Sequence, residues 1–283
     1  MKIIATISDL KQHLKKEKVN GSTIGFVPTM GFLHEGHVSL MEASKKENDV
    51  SVISIFVNPL QFGPNEDFES YPRDLERDAR IAENAGVDFL FAPLPEEMYP
   101  ARPSISIHVK DRVDVLCGSK REGHFDGVAA VLTKLFNIVQ PDRVYFGLKD
   151  AQQVAVVDGL INDFNIPVEL RAMPTIREED GLAKSSRNVR LSPDEREMAP
   201  VIYQSLKWAE EAAKNGVGDE AALISGIKER IENETSGEID YIEIYSYPSL
   251  KKMDVLEGKF IIAAAVKFSD ARLIDNIIIS AGA

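Results

Sequence analysis

The sequence predicts a doubly wound parallel α/β sheet followed by a smaller α+β domain. Three observations lead there. Short apolar runs rich in β-branched residues alternate with amphipathic stretches through the first part of the chain. Most of these runs stop at a turn containing Gly or Pro, as buried parallel strands do where they feed a helix. From Ser192 onward the alternation gives way to helices and then strands, the mark of a separate α+β unit. The expected division is 1–175 for the first domain and 176–283 for the second, with no internal repeat or low-complexity segment.

Taken in order, Ser8 is the expected cap of a first helix, Asp9 to Lys18, with Leu10 and Leu14 on one face. Ile24 to Val27 is a buried strand stopped by Pro28, which cannot donate to a ladder. A helix from Val38 to Lys46 leads to a second strand, Asp49 to Val57, and the three make a right-handed βαβ unit. Tyr71-Pro72-Arg73 opens a helix to Asn84, and Val87 to Ala92 is a third strand. Ile105 to Val109 alternates apolar and polar residues like a half-exposed strand. An amphipathic helix, Val128 to Val139, precedes strand Asp142 to Gly147, a helix ending near Phe164, and strand Val168 to Pro174. Ser192-Pro193 with Glu195 is a strong helix start, carried on to Lys214. A helix Glu220 to Asn233 follows, then strands Ile239 to Tyr245, Lys259 to Phe268 and Arg272 to Ile279, mostly antiparallel.

Composition narrows the function classes. The 33 Lys and Arg against 45 Asp and Glu give a formal charge of −12, which disfavours a broad grip on nucleic acid but leaves room for a local basic pocket. Cys117 is the only cysteine, so neither an intrachain disulfide nor a cysteine metal cluster can form. No apolar run approaches a membrane-spanning length, and a cytoplasmic protein is expected.

The stretch that carries chemistry is Pro28 to His37, read as strand, turn and helix start. Gly31 and Gly36 allow close backbone approach, and His34 and His37 fall one helical turn apart at a helix N-terminus, where unpaired N–H groups favour an anion such as phosphate. A histidine pair is often structural or metal-bound, but no third His or Cys lies nearby to complete a zinc set. Lys149 opposes the dipole at another helix start, unfavourable unless a ligand's charge offsets it. Lys184-Ser185-Ser186-Arg187 combines a cation, two hydroxyls and a guanidinium fork suited to phosphate oxygens. Asn58 and Gln61, in a Pro- and Gly-rich loop, either orient a polar substrate or satisfy turn backbone. Lys120 to Gly127 is either a second anion cradle or a solvated charge cluster. Read from the residues alone, the chain is an ATP-using adenylyl-transfer enzyme with a small polar co-substrate.

His34-x-Gly36-His37 resembles the His-x-Gly-His element of the nucleotidyltransferase and class I aminoacyl-tRNA synthetase superfamily, and Lys184 to Arg187 partly resembles its Lys-Met-Ser-Lys-Ser loop. The run Pro28 to His37, with Phe56 to Gly63, Gly123 to Gly127, Phe146 to Gln153 and Asp180 to Asn188, resembles more narrowly the pantoate–β-alanine ligase (pantothenate synthetase) family. The resemblance implies a Rossmann-like first domain that binds nucleotide and pantoate; the helices-then-strands second part is expected to be a lid over the ATP side of the site. It implies that ATP and (R)-pantoate form pantoyl adenylate and pyrophosphate, with β-alanine then displacing AMP, Mg2+ accompanying the phosphates, and a homodimer. Its catalytic residues map onto His37 as acid, His34 and Lys149. ATP contacts map onto Met30, Gly31, Phe32, Leu33, His34, Glu35, Gly36 and His37; onto Gly147, Leu148, Lys149 and Asp150; and onto Ile176, Lys184, Ser185, Ser186 and Arg187. Gln61 and Gln153 would hold pantoate, Gln61 also approaching β-alanine, with Asn58, Tyr71, Arg121 and His124 of second rank. Another nucleotidyltransferase of the superfamily and a non-catalytic nucleotide sensor are the rival readings.

Overall fold

The computed structural model describes residues 1–64, 66 and 68–281; Gly282 and Ala283, the end of the expected second domain, lie outside the described residues. Strands β1 (Lys2–Ile4), β2 (Ile24–Thr29), β3 (Val50–Ile55), β4 (Phe89–Phe91), β5 (Arg143–Gly147) and β6 (Glu169–Met173) form one parallel sheet in the order β1-β4-β3-β2-β5-β6. Between them run helices α1 (Ile7–Val19), α2 (Glu35–Glu47), α3 (Leu75–Asn84), α4 (Pro95–Met98), α5 (His124–Val139) and α6 (Ala151–Asp163). Both sheet faces are covered. Phe26, Val52, Phe91 and Val144 point to the layer containing α1, α5 and α6, whereas their neighbours Val27, Ile53, Leu90 and Tyr145 point to α2 and α3. This two-sided burial is why the strands read as continuous apolar runs.

The strand order decides where a ligand can sit. From β2 the chain winds outward through β3 to β4, then returns to place β5 on the other side of β2. The order reverses between β2 and β5, and the crevice beyond the carboxyl ends of such a strand pair is where open α/β sheets receive ligands. The turn carrying His34 and His37 follows β2; the turn carrying Lys149 follows β5.

After helices α7 (Pro193–Met198), α8 (Val201–Lys214) and α9 (Glu220–Glu234), strands β7 (Glu238–Ser246), β8 (Gly258–Lys267) and β9 (Arg272–Ala281) form an antiparallel sheet. Its central strand is buried on both faces. Phe260, Ile262, Ala264 and Val266 face α8 and α9, while Ile261 and Ala263 face Leu116, Ala151 and Ala155 of the first sheet's layer. The second sheet therefore packs directly over the entrance to α6. Among the described residues no helix is long and apolar enough to cross a membrane.

Several expectations are corrected. Ile105 to Val109 forms no strand: β1, absent from the sequence reading, takes the edge beside β4, and the Val109 N–H is held instead by Asp126 Oδ1 at 2.8 Å. Thr6, not Ser8, caps α1 by accepting the Asp9 N–H. Helix α3 starts at Leu75 behind the Asp74 cap rather than at Tyr71, because Asp74 Oδ1 accepts the Arg77 N–H. α2 and α5 begin earlier than their apolar stripes suggest, at Glu35 and His124. The helix expected from Ser192 to Lys214 breaks at Ala199-Pro200, where proline supplies no N–H to continue the ladder.

Candidate active site

Beyond β2 the backbone turns sharply over a buried carboxylate. Gly31 has φ +87°, and a Cβ there would lie 2.9 Å from both Asp78 Oδ2 and the Ile55 side chain, so only glycine fits. The Asp78 carboxylate, 1% exposed, accepts the N–H groups of Phe32 and Leu33 at 2.7 and 2.8 Å. Arg77 donates to the Leu33 carbonyl at 2.9 Å and closes the turn from outside.

α2 then starts with a reciprocal cap made by two histidines. His34 Nδ1 accepts the Gly36 N–H at 3.1 Å, and His37 Nδ1 accepts the His34 N–H at 3.2 Å. A Cβ on Gly36 would come within 2.8 Å of His34 Cε1, so this glycine lets the imidazole fold back over the helix end. An Nδ1 that accepts carries no proton; each neutral ring therefore holds its proton on Nε2 as a donor. The ring centroids are 4.2 Å apart. Burial, followed by the charge of His34, pushes His37 down to about 3. Burial, followed by the Lys149 cation, also lowers His34. At neutral pH the pair is thus two Nε2–H donors, not imidazolium cations.

The second wall follows β5. Leu148–Asp150 forms a single 3₁₀ turn into α6, with Lys149 Nζ 3.9 Å from Asp150 Oδ1. Lys149 and Asp150 both act electrostatically on His34 and His37, so the two turns share one locale. Asn276 Nδ2, from β9, donates to the Leu148 and Lys149 carbonyls at 2.9 and 3.0 Å.

The third wall is the 176–190 loop. An antiparallel bridge joins Arg177 to Ala183, and the Lys184 N–H donates to the Ile176 carbonyl at 2.9 Å. Lys184 Nζ lies 2.7 Å from Glu178 and 3.4 Å from Glu35, the first residue of α2, which brings the loop to the histidine turn. Ser185 Oγ accepts the Arg187 N–H at 3.2 Å.

A cavity of about 530 Å³ lies between the second and third walls and the second sheet, lined by Lys149, Asp150, Gln153, Ser185 and Arg187. Seven Lys and Arg against four Asp and Glu line it, so a strongly acidic chain carries a locally cationic cleft. Gln61, 7% exposed, does not line the cavity. Its Nε2 donates to Met30 Sδ at 3.1 Å and its main-chain carbonyl accepts from His124 Nδ1 at 2.8 Å, and His124 does line the cavity. Arg121, beside His124, holds Glu66 through two contacts of 2.7 and 2.6 Å. The Met30 to His37 turn, Gly147, Leu148, Ile176, Lys184 and Ser186 are not among the residues that line the cavity.

Two supporting residues escaped the sequence reading. Asp78 sits one helical turn before the buried Ala82 on α3, and a carboxylate on an inward stripe was the available signal. Asn276 interrupts the Ile274 to Ile279 run in the same way.

Fold and site together define the class: a parallel α/β protein with a locally cationic crevice at its switch point, built like the His-x-Gly-His nucleotidyltransferases. The chain belongs to the pantoate–β-alanine ligase family, whose model, described as Pantoate-beta-alanine ligase, matches residues 2–278. It is 60% identical over 277 residues to the pantothenate synthetase of Geobacillus sp. (strain WCH70), covering 98% of each chain. It is 61% identical over 279 residues to that of Bacillus subtilis (strain 168), covering 99% of this chain and 97% of the relative. The crystal structure of pantothenate synthetase from Thermus thermophilus is similar at a TM-score of 0.91 and 44% identity, over 98% of this chain and 99% of that one. The Francisella tularensis ligase, complexed with beta-gamma ATP and β-alanine, is similar at a TM-score of 0.80 and 34% identity, over 98% and 97%.

Proposed function

We propose that this chain is an ATP-dependent ligase that condenses (R)-pantoate with β-alanine, forming pantothenate, AMP and pyrophosphate through pantoyl adenylate. The observation that carries the reading is the convergence of the His34/His37 cap, Lys149 and Lys184 at the β2/β5 switch point, in a chain whose whole length matches this ligase family.

In this reading the triphosphate lies along the helix start, with the Nε2–H donors of His34 and His37 on oxygens where charge builds as the pantoate carboxylate attacks the α-phosphorus. His37 acts as a hydrogen-bond donor. Lys149 and Lys184 neutralise the departing pyrophosphate, Ser185, Ser186 and Arg187 hold its oxygens, and the backbone of Met30 to Leu33 and of Gly147 to Leu148 lies against the nucleotide, with Ile176 at the base. Gln61 and Gln153 orient pantoate. The amine of β-alanine then attacks the acyl carbon and AMP leaves. Among the described residues no group of three or more His, Cys, Asp or Glu is placed to cage a metal. Asp150, a single hard carboxylate at the turn after β5, is the residue here that would hold Mg2+. The ion would supply charge neutralisation there.

We also propose that residues 176–283 form the lid domain, that the enzyme is cytoplasmic, and that it is a homodimer. The last is supported by an extended segment without a partner. Among the described residues no backbone group of Ser104 to His108 is hydrogen-bonded, and Ile105 is 82% exposed. Antiparallel pairing of two copies about Ile107 would set each Ile105 beside the other copy's Val109.

The deciding experiment uses pantoate labelled with ¹⁸O in its carboxylate, incubated with ATP and β-alanine. One label appears in AMP, and AMP release requires both substrates. Label-free AMP, or AMP formed without pantoate, would sink the reading in favour of another nucleotidyltransferase.

A further inference from the structure

Gln61 is held by a chain of hydrogen bonds whose directions are all fixed. The Leu60 N–H can only donate, and it donates to Asn58 Oδ1 at 3.3 Å; the Gly127 carbonyl can only accept, and it accepts from Asn58 Nδ2 at 3.0 Å. These two backbone groups set the orientation of the Asn58 carboxamide. Its oxygen must then accept the Tyr99 hydroxyl proton at 2.9 Å, and its second N–H must donate to Gln61 Oε1 at 3.2 Å. All four bonding positions of Asn58, which is 1% exposed, are filled from within the protein. With its oxygen committed to Asn58, Gln61 is left with its NH2, which among the described residues meets only the weakly accepting Met30 sulfur at 3.1 Å.

We infer that Tyr99, by bracing the Asn58 oxygen that the two backbone groups orient, is a positioning residue that steadies the Gln61 carboxamide with its NH2 free for the substrate acid, so that the site selects a hydrogen-bond acceptor there. Tyr99 follows α4 in sequence and is 41 residues away from Asn58. Its ring packs against Phe56, with centroids 6.1 Å apart, and under the Lys134 ammonium, so its hydroxyl is delivered from a fixed body. Burial pushes the phenol up to about 12, which keeps the donor proton in place at working pH. The inference rests on the reading that Gln61 meets pantoate.

The test is a cycle of Tyr99→Phe, Gln61→Met and the double variant, with KM measured separately for pantoate and ATP and folding followed by thermal melting. Both changes keep side-chain volume and ring packing. Tyr99→Phe is expected to raise the pantoate KM roughly 3- to 10-fold, the range for one neutral hydrogen bond, and to leave the ATP KM unchanged. In the Gln61→Met background it adds nothing. A raised pantoate KM in Gln61→Met with none in Tyr99→Phe overturns the relay and leaves the Gln61 contact standing. An unchanged pantoate KM in Gln61→Met overturns both. Equal losses on both substrates, additive in the double variant, mean ordinary structural damage and also overturn the relay.

Discussion

The Asn276 side chain donates to the main-chain carbonyls of Leu148 and Lys149, so a residue of the second sheet fixes the turn that aims Lys149 into the crevice of the first. Asn276→Leu leaves both carbonyls without this donor, at a cost of about 1–3 kcal/mol for an unsatisfied buried group. The expected result is a higher KM for ATP and a lower melting temperature, with the pantoate KM little changed. Steady-state kinetics with an unaltered ATP KM would separate the second sheet from nucleotide binding.

His37→Ala removes one Nε2–H donor and one acceptor of the helix cap. Loss of a single donor to developing charge costs about 10²- to 10³-fold in kcat, and loss of a cap about 1 kcal/mol of stability. Pyrophosphate release in a single turnover should slow by that factor while circular dichroism stays native. A variant that folds and turns over normally would favour a non-catalytic nucleotide sensor.

Acid should loosen the protein before its carboxylates titrate. His37, pushed down to about 3, His124, pushed down to about 4 by burial and then by Arg121, and His34, also lowered, all bind protons less readily folded than unfolded. Unfolded histidines titrate near 6.5, so this stabilisation is complete above that pH and is lost progressively as pH falls toward 4. Melting temperature should therefore drop between pH 6.5 and 4.5, with a shallower slope in His124→Gln. The same lowering predicts no fall in kcat from His37 between pH 8 and 5.5.

Ser106→Pro places a residue with no N–H in the middle of the unpaired extended segment. If two copies pair there, light scattering will find a dimer for the unaltered chain and a monomer, or a much weaker dimer, for the variant. An unchanged dimer would move the interface elsewhere.

How far the sequence could be read depended on how local each signal is. The βαβ alternation, the Ser192/Glu195 cap and the antiparallel second sheet follow from periodicity and turn chemistry, and all were legible. The Ile105 to Val109 alternation was read as a strand, yet a strand requires a neighbour, and pattern alone cannot supply one. Both imidazoles were visible at the helix start, but that they would cap each other required Gly36 to let the His34 ring fold back. Asp78 and Asn276 were hidden for the opposite reason. Each serves backbone groups 45 or more residues away, a relationship with no trace in neighbouring sequence.

Lys184 stands between Glu178 and Glu35, at 2.7 and 3.4 Å, and hydrogen bonding to Glu178 first of all raises its affinity for a proton. Polyphosphate entering the crevice would exchange one set of anionic oxygens for another rather than meet a bare ammonium. Part of the attraction would thereby be cancelled on entry and returned on exit, as the two carboxylates would reclaim the lysine when pyrophosphate departs. If Lys184 meets polyphosphate as proposed, an ion pair that weakens capture in this way would also keep the spent product from lingering and blocking the next turnover.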